Sequence, residues 1–338
     1  MTAGIHLSEL HKFLFDGLPV RGMVVRLTDA WQAILARRAG NTESGAYPAC
    51  VSHLLGEMAA ASVLMQGNIK FNGALVLQIM GDGPLKLAVV EVQPDFSLRA
   101  TATLTGEIAD DAPLSHMVNV NNQGRCAITL DPLDRQPGQQ PYQGVVPLFD
   151  DHHHKIENFA EVLEHYMLQS EQLDTVLVLA ADDQVAAGLL IQRLPVEGDG
   201  NLAGQVDSVA REALLGRSED YNRIAILAKS LKREELLTLD VDTILRRLFW
   251  EEPIVRFEPH AGETAPKFAC RCSRERVSQM IRSLGVKEVE GILAEQGQVE
   301  VACEFCGQQY RYDPIDAAGI FTGLVPTGAE ATPPANLH

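Results

Sequence analysis

Four cysteines near the C-terminal end constrain this chain more than any other feature. Cys270 and Cys272 stand in "CRC", and Cys303 and Cys306 follow about thirty residues later in "CEFCG". The second pair is a C-x-x-C knuckle closed by glycine. The first has one residue between its thiols rather than two. Both pairs belong to a unit of about sixty residues with few large apolar side chains, one at each end. At that size a core alone is marginal, and a structural metal commonly completes it. Four thiolates suit tetrahedral zinc, so Cys270, Cys272, Cys303 and Cys306 are expected to hold one zinc ion per chain in the reduced protein. In extended chain, residues i and i+2 share a face, which lets a C-x-C segment offer both thiols to one ion.

The same closeness makes Cys270 and Cys272 ready to be joined by an oxidant. Arg271, Arg274 and Arg276 stand beside them in "RCSRER". They are either a solvated helix face or cations that favour reactive thiolates; next to a thiolate cluster the electrostatic reading gains weight. Structural zinc contributes ~10–16 kcal/mol of apparent free energy in small cysteine-rich peptides, whereas a whole domain is stable by only about 5–15 kcal/mol. Oxidation of the thiolates would remove a term as large as the entire margin.

The chain has 338 residues, which suits two or three domains, and its 46% hydrophobic content is ample for a sizeable core. The opening "MTAGIHLSELHKF" has neither a basic n-region nor an apolar h-region, so no secretory signal is expected. No stretch reaches the ~20 apolar residues a membrane helix needs. A cytoplasmic location is expected, where clustered cysteines are more often ligands or sensors than structural disulfides. Net charge is −17, and Pro253 to Ile315 holds eight Lys/Arg against nine Asp/Glu, so the acidity lies upstream. Nucleic-acid binding is disfavoured.

Residues 1–198 read as one α+β domain. "VRGMVVRLT", "ALVLQIM", "LKLAVVEV", "SLRATATL", "RCAITL", "YQGVVPL", "TVLVLAA" and "VAAGLLIQRL" are strand-like, whereas "TDAWQAILARR", "ACVSHLLGEMAAASVLM" and "IENFAEVLEHYMLQSEQL" are helical. Residues 199–262 lose strand signals and read as a linker of three short amphipathic helices. Their stripes are Leu202, Val206, Val209 and Ala213; Ile224, Leu227, Ala228 and Leu231; and Val241, Ile244, Leu245 and Leu248 after an Asp240 N-cap. Residues 263–320 form the cysteine unit. It has a helix from Ser273 to Gly285, a second short helix at "EVEGILAEQG", and a strand–knuckle–strand at "QVEVACEFCGQQYRYD". Residues 321–338 read as a disordered tail. "GDGP" at Gly81 to Pro84 is a hairpin turn rather than a phosphate loop, His152 to His154 are a solvated loop rather than a metal site, and Cys50 and Cys126 are small packing residues.

"FACRCSRERV", "ILAEQGQVEVACEFCGQQYRYD", "EELLTL", "QIMGDGPLKLAVV", "YQGVV" and "YMLQSEQL" together resemble the heat-shock protein 33 family of redox-regulated holdase chaperones, over nearly the whole chain. The resemblance implies an α+β N-terminal domain, a helical linker lying on it and a C-terminal zinc-binding redox switch. It further implies that the reduced, zinc-bound form is inactive. Oxidation under unfolding conditions would form disulfides Cys270–Cys272 and Cys303–Cys306, release zinc and unfold the linker. The protein would then bind unfolding clients without ATP and without being an enzyme. Partners are expected to be unfolding client proteins, with a homodimer in the oxidised state allowed for, and with neither nucleic acid nor membrane. The alternative is a constitutive zinc-ribbon protein whose N-terminal domain acts on RNA or another protein. A thiol oxidoreductase is the third reading, disfavoured because its C-x-x-C usually opens a helix after a strand.

Overall fold

The computed structural model describes residues 7–40, 45–135, 138–195 and 208–322, with side chains from 219 onward in the last stretch. Two compact units emerge. One joins the chain up to Leu35 with Tyr47–Phe268; the other joins Ala36–Ala46 with the chain from Ala269. The fold is α+β.

In chain order the first unit holds β1 (Glu9–Phe15), β2 (Val20–Leu27), α1 (Asp29–Ala39, which runs past its boundary), α2 (Ala49–Asn68), β3 (Gly73–Met80), β4 (Leu85–Val92), β5 (Ser97–Leu104) and α3 (Leu114–Val118). It continues through β6 (Arg125–Pro132), β7 (Tyr142–Pro147), α4 (Phe159–Glu171), β8 (Thr175–Ala181) and β9 (Ala186–Arg193). Then come α5 (Ser208–Lys229), α6 (Arg233–Thr238), α7 (Val241–Phe249), β10 (Ile254–Arg256) and β11 (Lys267–Phe268). Among the described residues one sheet runs β10-β1-β2-β9-β8 and a second β11-β5-β4-β3-β6-β7. All pairs are antiparallel except β11 with β5.

Period-two patterning decides the layers. Met23 and Val25 of β2 and Leu190 of β9 face a core shared with α2 and the second sheet. Their neighbours Val24, Leu189 and Ile191 face the opposite way, into a second core closed by Ile224 of α5, Leu236 of α6, and Ile244, Leu245 and Phe249 of α7. The first sheet is therefore apolar on both faces, and the helices α5–α7 cover one of them. Helix α2 is buried along most of its length because it touches both sheets.

The helices that cover the sheet are held from outside. Buried Arg26 of β2 donates from Nη1 to Leu236 O at 2.7 Å and from Nη2 to Leu237 O at 3.0 Å, satisfying carbonyls that the end of α6 leaves open. Arg233 donates to Ala181 O and lies 3.5 Å from Glu57 of α2. The Phe249 ring meets Phe15 edge-on at 5.0 Å and Phe13 at 6.2 Å. Phe13 itself lies over Gly22, its partner across the β1–β2 ladder; a Cβ there would fall 2.1 Å from the ring, so any larger residue would displace Phe13.

Several expectations from the sequence meet differences here. The stripe residues Leu202 and Val206 lie outside the described residues, as do residues 323–338 of the tail. Val209 and Ala213 fall on α5, which continues unbroken to Lys229 and so merges two expected helices into one of 22 residues. Helix α6 was not expected. The stretch 199–262 also contains a strand, β10, and "ELHKFLF" forms β1. The Asp240 cap is as expected, accepting from Thr243 N at 2.8 Å. The Gly81 to Pro84 segment joins antiparallel β3 and β4, and His152, His153 and His154 are exposed around Asp150, which accepts from the amides of His152 and His154. Cys50 and Cys126 are buried. The Cys50 thiol donates to Ala109 O, and burial pushes the Cys126 thiol up to about 12. No helix among the described residues is long and apolar enough to cross a membrane.

Two predictions follow from this packing. Helix α7 has nine residues, too few to persist alone in water. Phe249→Ala should cost about 3–5 kcal/mol and speed amide exchange first in 233–249, leaving α2 protected; equal loss of protection in α2 would contradict separate layers. The second concerns pH. Burial pushes the Glu57 carboxyl from its ordinary 4.5 up to about 7, against the opposing pull of Arg233. The folded state therefore holds that proton more tightly than the unfolded chain. The associated stability is fully present below about pH 4.5 and is lost as pH rises through about 7, to the extent of up to about 3 kcal/mol. Urea midpoints of Glu57→Gln should vary less between about pH 5 and 8 than those of the wild type.

Candidate metal centre

The second unit is small. Beyond Ala269 it holds α8 (Arg274–Leu284), α9 (Val286–Gln296), β12 (Val299–Ala302), β13 (Gln309–Tyr312) and α10 (Pro314–Thr322). Its buried core comprises Ile281, Val289, Val299, Tyr310, Tyr312, Ala317 and Ile320, with Cys272 and Cys303 packed against it.

Local structure places each cysteine. Cys270 and Cys272 lie outside helix and strand, directly before Ser273, whose hydroxyl caps α8 by accepting from Arg276 N at 3.3 Å. Gly285, at φ +88°, ends that helix. Cys303 follows β12, and the antiparallel β12–β13 pair turns back through the knuckle. Cys303 N donates to Gln308 O, and Cys306 N and Gly307 N both donate to Cys303 O. Gly307 sits at φ +72°, a backbone conformation that a side chain would strain, which is the physical reason for the glycine that closes the motif.

The four sulfurs, 33 and 34 residues apart across the two pairs, converge. Cys270 Sγ is 3.7 Å from Cys303 Sγ, Cys272 Sγ is 3.4 Å from Cys306 Sγ, and all four lie within 4.8 Å of one another. A tetrahedron of sulfurs about 2.3 Å from a common centre has edges of about 3.8 Å, so this donor set fits one tetrahedral ion. It is the only such cluster of His, Cys, Asp and Glu among the described residues. The thiols perturb one another. Hydrogen bonds from Cys303 and Cys306 hold the Cys270 thiol far below its ordinary range, and the same contacts push Cys303 up to about 11 and raise Cys306 further. Four thiolates this close together require a cation among them. Burial, then the Cys272 sulfur, also raises the Tyr310 phenol.

The neighbouring arginines serve a different purpose from the one their position suggests. Arg274 donates to Arg311 O and to Asp316 Oδ2 at 2.7 Å, and its guanidinium stacks 4.3 Å from the Tyr312 ring centroid. Tyr312 in turn donates to Arg274 O at 2.9 Å. Arg276 donates to Arg271 O. Two of the three are thus tied to carbonyls, a carboxylate and a ring, and the thiol shifts arise from the other thiols. Helix α10, with Asp316 and the core residues Ala317 and Ile320, was missed. Its signal is "DP" at Asp313 and Pro314, a capping aspartate followed by proline at the first helical position, and Asp316 N does donate to Asp313 Oδ1 at 2.7 Å.

Comparison with known proteins places this arrangement. A family model described as Hsp33 protein matches residues 8–313. The 33 kDa chaperonin of Chromobacterium violaceum is 46% identical over 317 residues, covering 94% of each chain. That of Methylobacillus flagellatus is 42% identical over 316 residues, covering 93% of this chain and 94% of the relative. The crystal structure of the 33 kDa chaperonin (heat shock protein 33 homolog) from Thermotoga maritima shares the fold, with a TM-score of 0.68 at 21% identity, over 93% of this chain and 98% of that one. A match of this extent, on a chain whose four cysteines gather as described, establishes that the protein belongs to the Hsp33 family of chaperones.

Proposed function

We propose that this protein is an ATP-independent holdase that thiol oxidation activates, working without chemical turnover in a reducing compartment such as the cytoplasm. The observation that carries the reading is the convergence of two cysteine pairs on one point in a unit whose core, among the described residues, has seven buried side chains. Cys270, Cys272, Cys303 and Cys306 would hold zinc in the reduced protein. When bound, the ion supplies the charge that four thiolates need and folding free energy on the order of 10 kcal/mol.

Oxidation acts on the thiols. Each pair of thiolates gives up two electrons to a peroxide, whose O–O bond breaks and which takes two protons from solvent to become two waters, and an S–S bond forms in place of two metal ligands. The pairing Cys270–Cys272 and Cys303–Cys306 is the one the family resemblance implies. In the reduced arrangement Cys270 Sγ lies 3.7 Å from Cys303 Sγ and Cys272 Sγ 3.4 Å from Cys306 Sγ, contacts that run across the two pairs. With the ligand set gone, the small unit loses a term comparable to its whole stability. Residues 199–262, as the linker, then lose their C-terminal support. Helices α6 and α7 are six and nine residues long and depend on tertiary contacts. Their departure uncovers Val20, Val24, Leu189 and Ile191 on the first sheet together with their own Ile244, Leu245, Leu248 and Phe249. Apolar surface of that extent binds other apolar surface, and a net charge of −17 keeps the complex in solution. Trp250 is not part of the hidden surface: it is 74% exposed already.

Reduced protein should contain one zinc per chain, and Cys303→Ser or Cys306→Ser should lose most of it; full retention in both variants, measured by elemental analysis, would overturn the site. Peroxide-treated protein should suppress light scattering from a heat-unfolded client without ATP, and reduced protein should not. Equal suppression by both forms would remove the redox switch, and suppression by neither would favour the zinc-ribbon alternative.

A further inference from the structure

Strand β1 carries an unusual neighbour. The segment Pro253–His260, between α7 and the first cysteine, lies along its whole outer edge. Phe13, Leu14 and Phe15 stand opposite Arg256, Val255 and Ile254. Asp16 N donates to Pro253 O at 2.8 Å, Phe257 N to Lys12 O at 3.0 Å, and Leu10 and His260 exchange both backbone bonds at 3.0 and 2.9 Å. Little else holds this strap. Val255 and Phe257 are 47% and 51% exposed, and Ile254 is only partly buried. Its side-chain anchors are Arg256, which reaches Asp242 of α7 and His11, and His260, whose ring meets Phe96 at 4.7 Å. One of those anchors thus lies on a helix that the proposed switch would loosen.

Beneath the strap, β1 is the reverse. Leu10, Phe13 and Phe15 are between 0% and 1% exposed. An apolar strand stripped of its neighbour presents a row of unmatched backbone donors and acceptors, a template for another extended chain. The strap is attached mainly through backbone, bounded by prolines that donate no ladder bond, and its exposed side chains ask for no particular sequence.

We infer that the outer edge of β1 is a strand-addition site for an extended apolar segment of an unfolded polypeptide, occupied in the resting protein by Pro253–His260. The inference rests on the oxidation-activated reading above, because loosening of the segment before Cys270 is what frees the edge. Backbone pairing suits a chaperone partner: every unfolded chain carries the same donors and acceptors, and only the position facing the second core, now held by Ile254, favours an apolar residue.

Amide exchange resolves this residue by residue. Leu10 and Asp16 donate outward to the strap, whereas by alternation the amides of Phe13 and Phe15 face β2. Phe257→Pro removes the bond to Lys12 at a half-exposed position, so it should detach the strap in reduced, zinc-loaded protein. Exchange at Leu10 and Asp16 should then rise at least about tenfold. Reduced, carboxymethylated lysozyme, a permanently unfolded chain, should bind this variant and restore slow exchange at those two amides, with Phe13 and Phe15 unchanged. The peroxide-treated wild type should give the same pattern and needs no substitution. Probe that binds either form while Leu10 and Asp16 stay fast overturns the site but leaves the oxidation reading intact. Binding and protection in the variant without binding by the oxidised wild type supports the site and removes the oxidation reading. Protection that returns without probe as protein concentration rises makes the edge a self-association face and overturns the assignment.

Discussion

Four sulfurs held within 4.8 Å of one another cannot all be anions without a cation among them. Seven buried residues, two of them tyrosines that also stack or hydrogen-bond, make a core well below what an independent domain of this size uses. On the proposed reading, the stability of α8–α10 and of the β12–β13 pair is tied to the ligating and oxidation state of Cys270, Cys272, Cys303 and Cys306. A thiol both ligates a soft metal and is chemically erased as a ligand by mild oxidant. That coincidence of roles turns a structural site into a candidate sensor.

The first unit has two separate cores. Its main core lies between two sheets around α2 and, among the described side chains, includes none from α5–α7. The linker helices contribute to a separate core on the far face of the first sheet, where Arg26, Arg233 and the Phe13–Phe15–Phe249 cluster fasten them. Stability is thereby graded along the chain: a sheet-and-helix body, a covering layer held by tertiary contacts, and a strap held by backbone bonds. Local opening follows such gradients. On the proposed reading, such a chaperone need not refold to act; it need only uncover a face that is already formed.

Much of this was legible in the residues. Strands such as "ALVLQIM" and "TVLVLAA" show because a sheet buried on one or both faces selects apolar, β-branched runs, and α2 shows because a helix between two sheets is apolar all round. The cysteine site was legible because ligand spacing is local within each pair. What stayed hidden depends on partners distant in sequence. "ELHKFLF" mixes polar His11 and Lys12 into an apolar strand, since Lys12 reaches Gly67 O and His11 lies against Arg256. The strap hides because its side chains are exposed and its partner lies some 240 residues upstream. Helix α5 was split by the charged, glycine-containing "LLGRSEDYNR", and Arg274 looked like a thiol neighbour because its actual partners, Tyr312 and Asp316, are 38 and 42 residues away.

The central claim is that the metal-ligating state of the four cysteines, rather than disulfide formation as such, keeps the C-terminal unit folded. Removing metal with a chelator while a reductant keeps every thiol reduced separates the two. Residue-resolved amide exchange across 269–322 should then collapse to near unfolded-chain rates, as it does after peroxide, while amides of α2 remain protected. Amides of β12, β13 and α8 that stay slow in metal-free, fully reduced protein would contradict the account.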